Sequence, residues 1–409
     1  MASTAEILSR HASEAALLWP LRDLAVRDAA YDLARLGDLD ERLEANLDGL
    51  RLAGDAGWEA ARTALDEEGP GEVFTATAVA VSRGDMRGVA RALDVGGADP
   101  ASRRAIVSAL GWCRFEEVER LLPGLFAPRA PALLRRIGVA ACAVHRRNPG
   151  LPLLEASHAA DASLVARAVR AIGEIGAREL AGDAARHLAS DDEACRFAAG
   201  VTGVLFGDAA AGAVLCEIAA KGGPRAEAAC DVAMRRAAPA EGARWLEHLS
   251  RGEATRRAAC AGAAALGDVA SVTWLLELFD DEAVARVAGR AFGAITGIDL
   301  RASKLDGARP DGARAQPSDD PNDEDVSVDP DASLPWPNAV SARAAWPRAA
   351  ARFPRGQRLF LGKPSSADWV SHVLRAGDQH QRRAAAFELA LASSGTPLFE
   401  VRAPAFRQR

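Results

Sequence analysis

A small residue returns about every thirty positions through the middle of the chain: Gly111, Cys142, Gly173, Gly203, Ala233, Ala264 and Gly293, at gaps of 31, 31, 30, 30, 31 and 29 residues. A fixed period of this length means that one supersecondary unit is copied. Each copy is too small to bury its own apolar face and must stack on its neighbours. An arginine travels seven places ahead of the small residue, as Arg104, Arg135, Arg196, Arg257 and Arg286; Arg167 stands one place late, and Ala226 takes the place in one copy. This double register constrains the fold before any single motif does.

The unit reads as two helices. Leu151 to Ala159 predicts a first helix, Asp161 a cap, and Leu164 to Ile175 a second helix closed by Gly176. The next copy repeats the pattern with Ala184 to Leu188, a cap at Asp191 or Asp192, and Ala194 to Phe206 closed by Gly207. Asp99 followed by Pro100 is the same start signal, since proline at the first helical position gives up an N–H that has no partner there anyway. Leu215, Leu246 and Leu275 form one apolar column, and Leu188, Ala219, Leu249 and Leu278 another. Hydrophobic residues make up 49% of the chain but aromatic residues only 5%, which suits thin layers of closely packed helices better than a sheet.

The predicted class is therefore all-α, an α/α superhelix with atypical helical caps at both ends and one long acidic loop. A helical cap is expected over 1–84, a solenoid of about seven helix pairs over 85–300, a flexible acidic loop rich in Pro and Asp over 301–335, and a helix pair with a closing cap over 336–409. Within the first cap, a helix from Thr4 to Trp19 is expected to stop at Pro20, with further helices near 21–36 and 39–52 stopped by Gly37 and Gly54. The acidic stretch carries Asp319, Asp320, Asp323, Glu324, Asp325, Asp329 and Asp331 with no basic residue among them, and reads as a solvated linker. It lacks the glycine and distal glutamate of a calcium loop.

Several function classes lose ground. A net charge of −6 without a basic stripe disfavours a nucleic-acid groove. The cysteines at 113, 142, 195, 216, 230 and 260 form no CxxC pair and read as small buried hydrophobes in a reducing compartment. Met1 to Arg10 has no leader character and nowhere do eighteen apolar residues run together, so a cytoplasmic protein with no membrane insertion is expected. Gly356 to Pro364 fails as a phosphate loop because proline sits where the magnesium-binding hydroxyl belongs, and no Gly-x-Ser-x-Gly elbow occurs. No catalytic, cofactor or metal residue is assigned.

The segment Val165-Ala-Arg-Ala-Val-Arg-Ala-Ile-Gly-Glu-Ile-Gly176, with a turn acid before it and the arginine and small-residue columns around it, resembles HEAT repeats over about half the chain. The resemblance implies paired antiparallel helices, a ladder of turn acids and helix arginines, and second helices that approach closely at Gly111, Gly173, Gly203 and Gly293. Deoxyhypusine hydroxylase, an enzyme of this fold, holds iron through His-Glu dipeptides, yet none of His11, His145, His158, His187, His248, His372 or His380 precedes Glu. HEAT-like DNA glycosylases need a basic groove lined by tryptophans; here Trp112, Trp245 and Trp274 read as helix packing. Bilin lyases share the repeat texture and nothing more specific.

His11 to Trp19 with Arg22, and Asp40 to Gly54, resemble the opening of a bacterial family of HEAT-repeat proteins to which no activity is assigned. Leu334-Pro-Trp-Pro, Arg358 to Gly362, Arg402-Ala-Pro404 and Gln408 resemble its close, although Asn46 departs from the histidine expected there. The family occurs in proteobacteria near type VI secretion genes. It implies a protein partner, a secretion effector or spike component, with this chain as adaptor, chaperone or immunity factor. Two readings stay open. One is a scaffold that binds another protein; the other is an enzyme with a small-molecule pocket between the repeats and the closing cap. Trp336, Trp346 and Arg358 are the candidate contact residues in that cap.

Overall fold

The computed structural model describes residues 3–310, 329–354 and 356–408, and these residues are all-α apart from one two-residue strand pair. They form two compact units. Unit 1 comprises Met1–His187, Arg375–Ala386 and Gly395–Arg409; unit 2 comprises Leu188–Leu374 and Phe387–Ser394.

Unit 1 contains α1 (Thr4–Ala25), α2 (Leu33–Leu52), α3 (Asp55–Ala64), α4 (Pro70–Ser82), α5 (Met86–Gly96), α6 (Pro100–Trp112), α7 (Phe115–Glu119), α8 (Leu122–Leu125), α9 (Ala132–Val144), α10 (Leu151–Ser157), α11 (Ala162–Ile175) and α12 (Ala181–Ala185). Helices of successive pairs lie side by side: α4 packs on α6, α6 on α9, and α9 on α11, while α5, α8 and α10 back them from the other layer. The core joins the layers through Trp19 stacked on Phe74 at 5.6 Å, with Trp112 edge-on to Phe74 at 5.7 Å.

Two expectations for the first helices are corrected. The chain does not break at Pro20, because α1 runs through it to Ala25. Proline has no N–H to return to the Ala16 carbonyl, and Gly71 of α4 lies so close to that carbonyl oxygen that a Cβ would overlap it. Gly37 is likewise no stop; it is buried inside α2, which starts at Leu33 with Asp32 accepting from the Arg35 N–H. Local breaker signals yield here to packing across the unit.

Unit 2 contains α13 (Glu193–Phe206), α14 (Ala209–Lys221), α15 (Ala226–Met234), α16 (Pro239–Ser250), α17 (Glu253–Leu266), α18 (Val272–Glu277), α19 (Ala285–Thr296) and α20 (Ala339–Ala350), with β1 (Leu359–Phe360) paired antiparallel to β2 (Lys363–Pro364). Then come α21 (Ala367–Ala376) and α22 (Gln379–Ala392), whose residues divide between the two units. Again alternate helices are neighbours, α15 beside α17 and α17 beside α19, with α14, α16 and α18 backing them. Leu215, Leu246 and Leu275, the apolar column of the sequence, are buried in that second layer.

The repeated start and stop signals act as chemistry requires. Asp99, Asp161 and Asp192 each accept a backbone N–H three residues on, satisfying a donor at the helix start. Gly176 and Gly207 close α11 and α13 in the left-handed conformation, at φ of 78° and 87°. The small-residue column is less uniform than its spacing. A Cβ on Gly203 would lie 2.5 Å from Ala211 of α14, one on Gly111 would lie 3.1 Å from Val144 of α9, and Gly293 faces the Ile298 carbonyl of its own exit loop. The tightest approach between neighbouring second helices is instead at Gly262 of α17, against Cys230 and Met234 of α15. All six cysteines are buried thiols.

Candidate functional site

The arginine column provides six guanidiniums, and each finds a carboxylate, though not the acid of its own turn. Arg104 reaches Asp23 at 3.6 Å, Arg135 reaches Glu155 at 3.8 Å, Arg167 reaches Glu174 at 2.7 Å and Arg196 reaches Glu217 at 3.0 Å. Two arginines one place earlier in the register pair with acids near a helix start: Arg225 with Glu193, the first residue of α13, at 2.9 Å, and Arg256 with Asp281 at 2.6 Å. With the turn acids engaged as caps or by these neighbours, the column arginines are left to bind elsewhere.

In unit 2 they bind a non-helical piece of the chain. Arg257 of α17 grips Asp331 with both terminal nitrogens, Nη1 to Oδ2 at 2.7 Å and Nη2 to Oδ1 at 3.1 Å, while its Nε donates to Glu227 of α15 at 2.9 Å. One helix over, Arg286 of α19 pairs with Asp329 at 2.6 Å, and the Trp336 ring lies beneath its guanidinium at 4.5 Å. Planar two-point recognition of a carboxylate and stacking on an aromatic face are the two contacts arginine makes better than lysine.

The bound segment is shaped for this. The Asp331 N–H donates to Asp329 Oδ1 at 2.9 Å, and the Ala332 and Leu334 N–H groups donate to the Asp329 and Asp331 carbonyls at 3.1 and 2.9 Å. Consecutive turns thus set both carboxylates toward the helices, and Leu334, at the end of the turns, is buried. Beyond it the Gly307 N–H donates to the Trp336 carbonyl at 2.8 Å. Electrostatics follow the geometry. Burial alone would raise the Asp329 carboxyl, but the Asp331 N–H and the Arg286 guanidinium outweigh it and hold it below the ordinary range. Arg257 is pushed the other way, chiefly by its hydrogen bond to Asp331, and stays charged.

Asp329 and Asp331 are the residues sequence reasoning missed, having read as part of a solvated acidic stretch. Their partners lie one repeat apart at matched positions, a signal present in the sequence only as the arginine column itself. Asp319, Asp320, Asp323, Glu324 and Asp325 lie outside the described residues.

The three candidate contact residues of the closing cap have separate surroundings. Trp336 belongs to the arginine row. Trp346 sits edge-on to Phe292 and stacked on Phe353, each at 5.9 Å, as part of the apolar packing on α19. Arg358 is committed to internal partners: Glu388 at 2.6 Å, the Ala265 carbonyl at 2.9 Å and the Arg235 carbonyl. Arg235, almost fully buried, also binds Glu388 and Asp231, each at 2.7 Å. Burial depresses the Arg358 guanidinium, as expected of a group enclosed beside a second cation.

Unit 1 gathers charge around the end of the chain. Arg22 Nε donates to Asp40 at 2.9 Å, its terminal nitrogens donate to the carbonyls of Arg402 and Ala403 at 2.7 and 3.0 Å, and Asp40 accepts the Ala405 N–H at 2.6 Å. Arg382 is buried against Gln379 and reaches Gln408 at 2.5 Å. Glu400 lies between Arg402 at 2.9 Å and Arg146 at 3.3 Å. Residues from opposite ends of the sequence therefore meet to fasten the tail: the buried Arg22 and Asp40 hold the Arg402, Ala403 and Ala405 backbone, and Arg382 holds Gln408. His11 contacts Asn46 through Nδ1 at 2.9 Å.

Among the described residues, no three His, Cys, Asp or Glu side chains converge as a metal set, and no helix is long and apolar enough to cross a membrane. No family model matches the chain, and no curated protein matches it.

Proposed function

We propose that the protein is a HEAT-type scaffold that binds another protein through the face on which its second helices present the arginine column. The observation that carries this reading is the row of Arg257 and Arg286, which holds an acidic segment of consecutive turns against α17 and α19. Repeat proteins recognise partners along such rows because each copy places the same side chain at the next step of the stack. In this reading the secretion effector or spike component implied by the family resemblance is the class of partner, and the chain serves as its adaptor, chaperone or immunity factor.

The alternative of an enzyme with a pocket beside the closing cap has less support, because Arg358 is consumed by Glu388 and backbone carbonyls and Trp346 by ring packing. The two readings separate in one pair of experiments. The tagged chain, purified at low salt from its host, should retain a protein that the R257Q/R286Q variant retains several-fold less. Loss of any such partner, together with a concentration-dependent rise in melting temperature on adding a small metabolite, would favour the enzyme.

A further inference from the structure

Asp329 and Asp331 occupy the arginine row from within the same chain. Resting on the scaffold reading, we infer that these two aspartates are an internal stand-in for the partner, and that the row reads an Asp-x-Asp turn followed by an apolar residue and an aromatic ring. The features of the resident segment define that ligand: two carboxylates separated by Pro330, a buried Leu334 three residues after the second, and Trp336 against Arg286.

The row is built to exchange such a ligand. Arg257 keeps Glu227 when Asp331 departs, so its charge is never left without a counter-ion during exchange. Entry is from Arg257, whose side chain is 32% exposed, whereas Asp331 at 8% and the Arg286–Asp329 pair at 15% and 14% are covered until the segment lifts. An ion pair at a part-exposed arginine such as Arg257 is weakened by salt and replaced by competing acids, whereas a segment fixed for structure alone is held by apolar burial. Of the eight residues from Asp329 to Trp336, Leu334 is the buried hydrophobe. The resident segment therefore sets a threshold: a partner engages when its acidic turn outcompetes Asp329 and Asp331.

A fluorescent peptide with the sequence Asp329 to Trp336 tests this. The full chain with residues 329–334 replaced by glycine and serine exposes the row while keeping chain length, and its fold is checked by circular dichroism. It should bind the peptide roughly tenfold or more tighter than the unaltered chain does, which is about 1.4 kcal/mol. Binding should drop by a similar factor with asparagine in place of both aspartates in the peptide, and again with R257Q/R286Q added to the protein. Equal binding of the acidic and amide peptides by the folded variant overturns the inference, as does no binding. If that variant does not fold, D329N/D331N in the full chain should still bind the peptide more tightly than wild type, and unchanged binding counts against the inference. A host protein retained by the intact chain while the peptide fails would leave the scaffold reading standing without this one. Peptide binding with no retained protein would have the opposite meaning.

Discussion

Glu400 and His145 show how single groups in unit 1 couple its stability to pH. Burial raises the Glu400 carboxyl, but the guanidiniums of Arg402 and Arg146 outweigh it and hold the group down at about 2. His145 is pushed down to about 4 by burial and by Arg407, and its Nε2 lies 2.8 Å from the Leu110 carbonyl, the contact of a neutral ring donating a proton. Both folded-state values lie below the ordinary ones, so both contributions are present at neutral pH and are lost as pH falls, that of His145 between 6.5 and about 4 and that of Glu400 between 4.5 and about 2. Chemical unfolding followed as a function of pH should decline through both windows. H145Q should flatten the upper one and E400Q weaken the lower, while E400Q costs ~1–3 kcal/mol at neutral pH by removing the carboxylate paired with both arginines. The Arg146–Glu400 pairing is not visible in the sequence, because the two residues are 254 apart and no local pattern joins them.

Helices were the most legible level, and where they were misread the reason is contact between them. The caps at Asp99, Asp161 and Asp192 and the closing Gly176 and Gly207 obey rules that act within a few residues, so the sequence places them well. Pro20 and Gly37 carry the same kind of local signal and are overruled, one by the packing of α4 against α1, the other by burial inside α2. The small-residue column marks the repeat correctly, yet spacing cannot say which glycine touches what. Gly262 sits against Cys230, Leu246 and Met234, whereas Gly212 in α14 has nothing within 4 Å of where a Cβ would be. Thermal melts should therefore separate them: G262L is expected to cost ~1–3 kcal/mol through overpacking, and G212A to stabilise by up to about 1 kcal/mol through helix propensity. Equal effects at the two positions would contradict this account of the seam between α15 and α17.

At the scale of the molecule, both units apply one device, alternate helices laid side by side with an arginine at a matched step, and the all-α class and the period were readable from sequence for that reason. The candidate site was half readable. Its arginines form a column that spacing reveals, but their carboxylates come from a stretch that composition alone marks as solvent-loving, and Asp331 is 74 residues from Arg257. Trp336 is a candidate contact residue of the closing cap, and its place beneath Arg286 gives it a physical role different from lining a small-molecule pocket. On this reading the arginine row holds residues 329–336 by charge, separably from the fold of α17 and α19. Hydrogen–deuterium exchange on the intact chain and on R257Q/R286Q measures this directly. Amides of Asp331, Ala332 and Leu334 should lose protection in the variant while those of α17 and α19 keep theirs; unchanged protection over 329–336, or loss throughout unit 2, would contradict it.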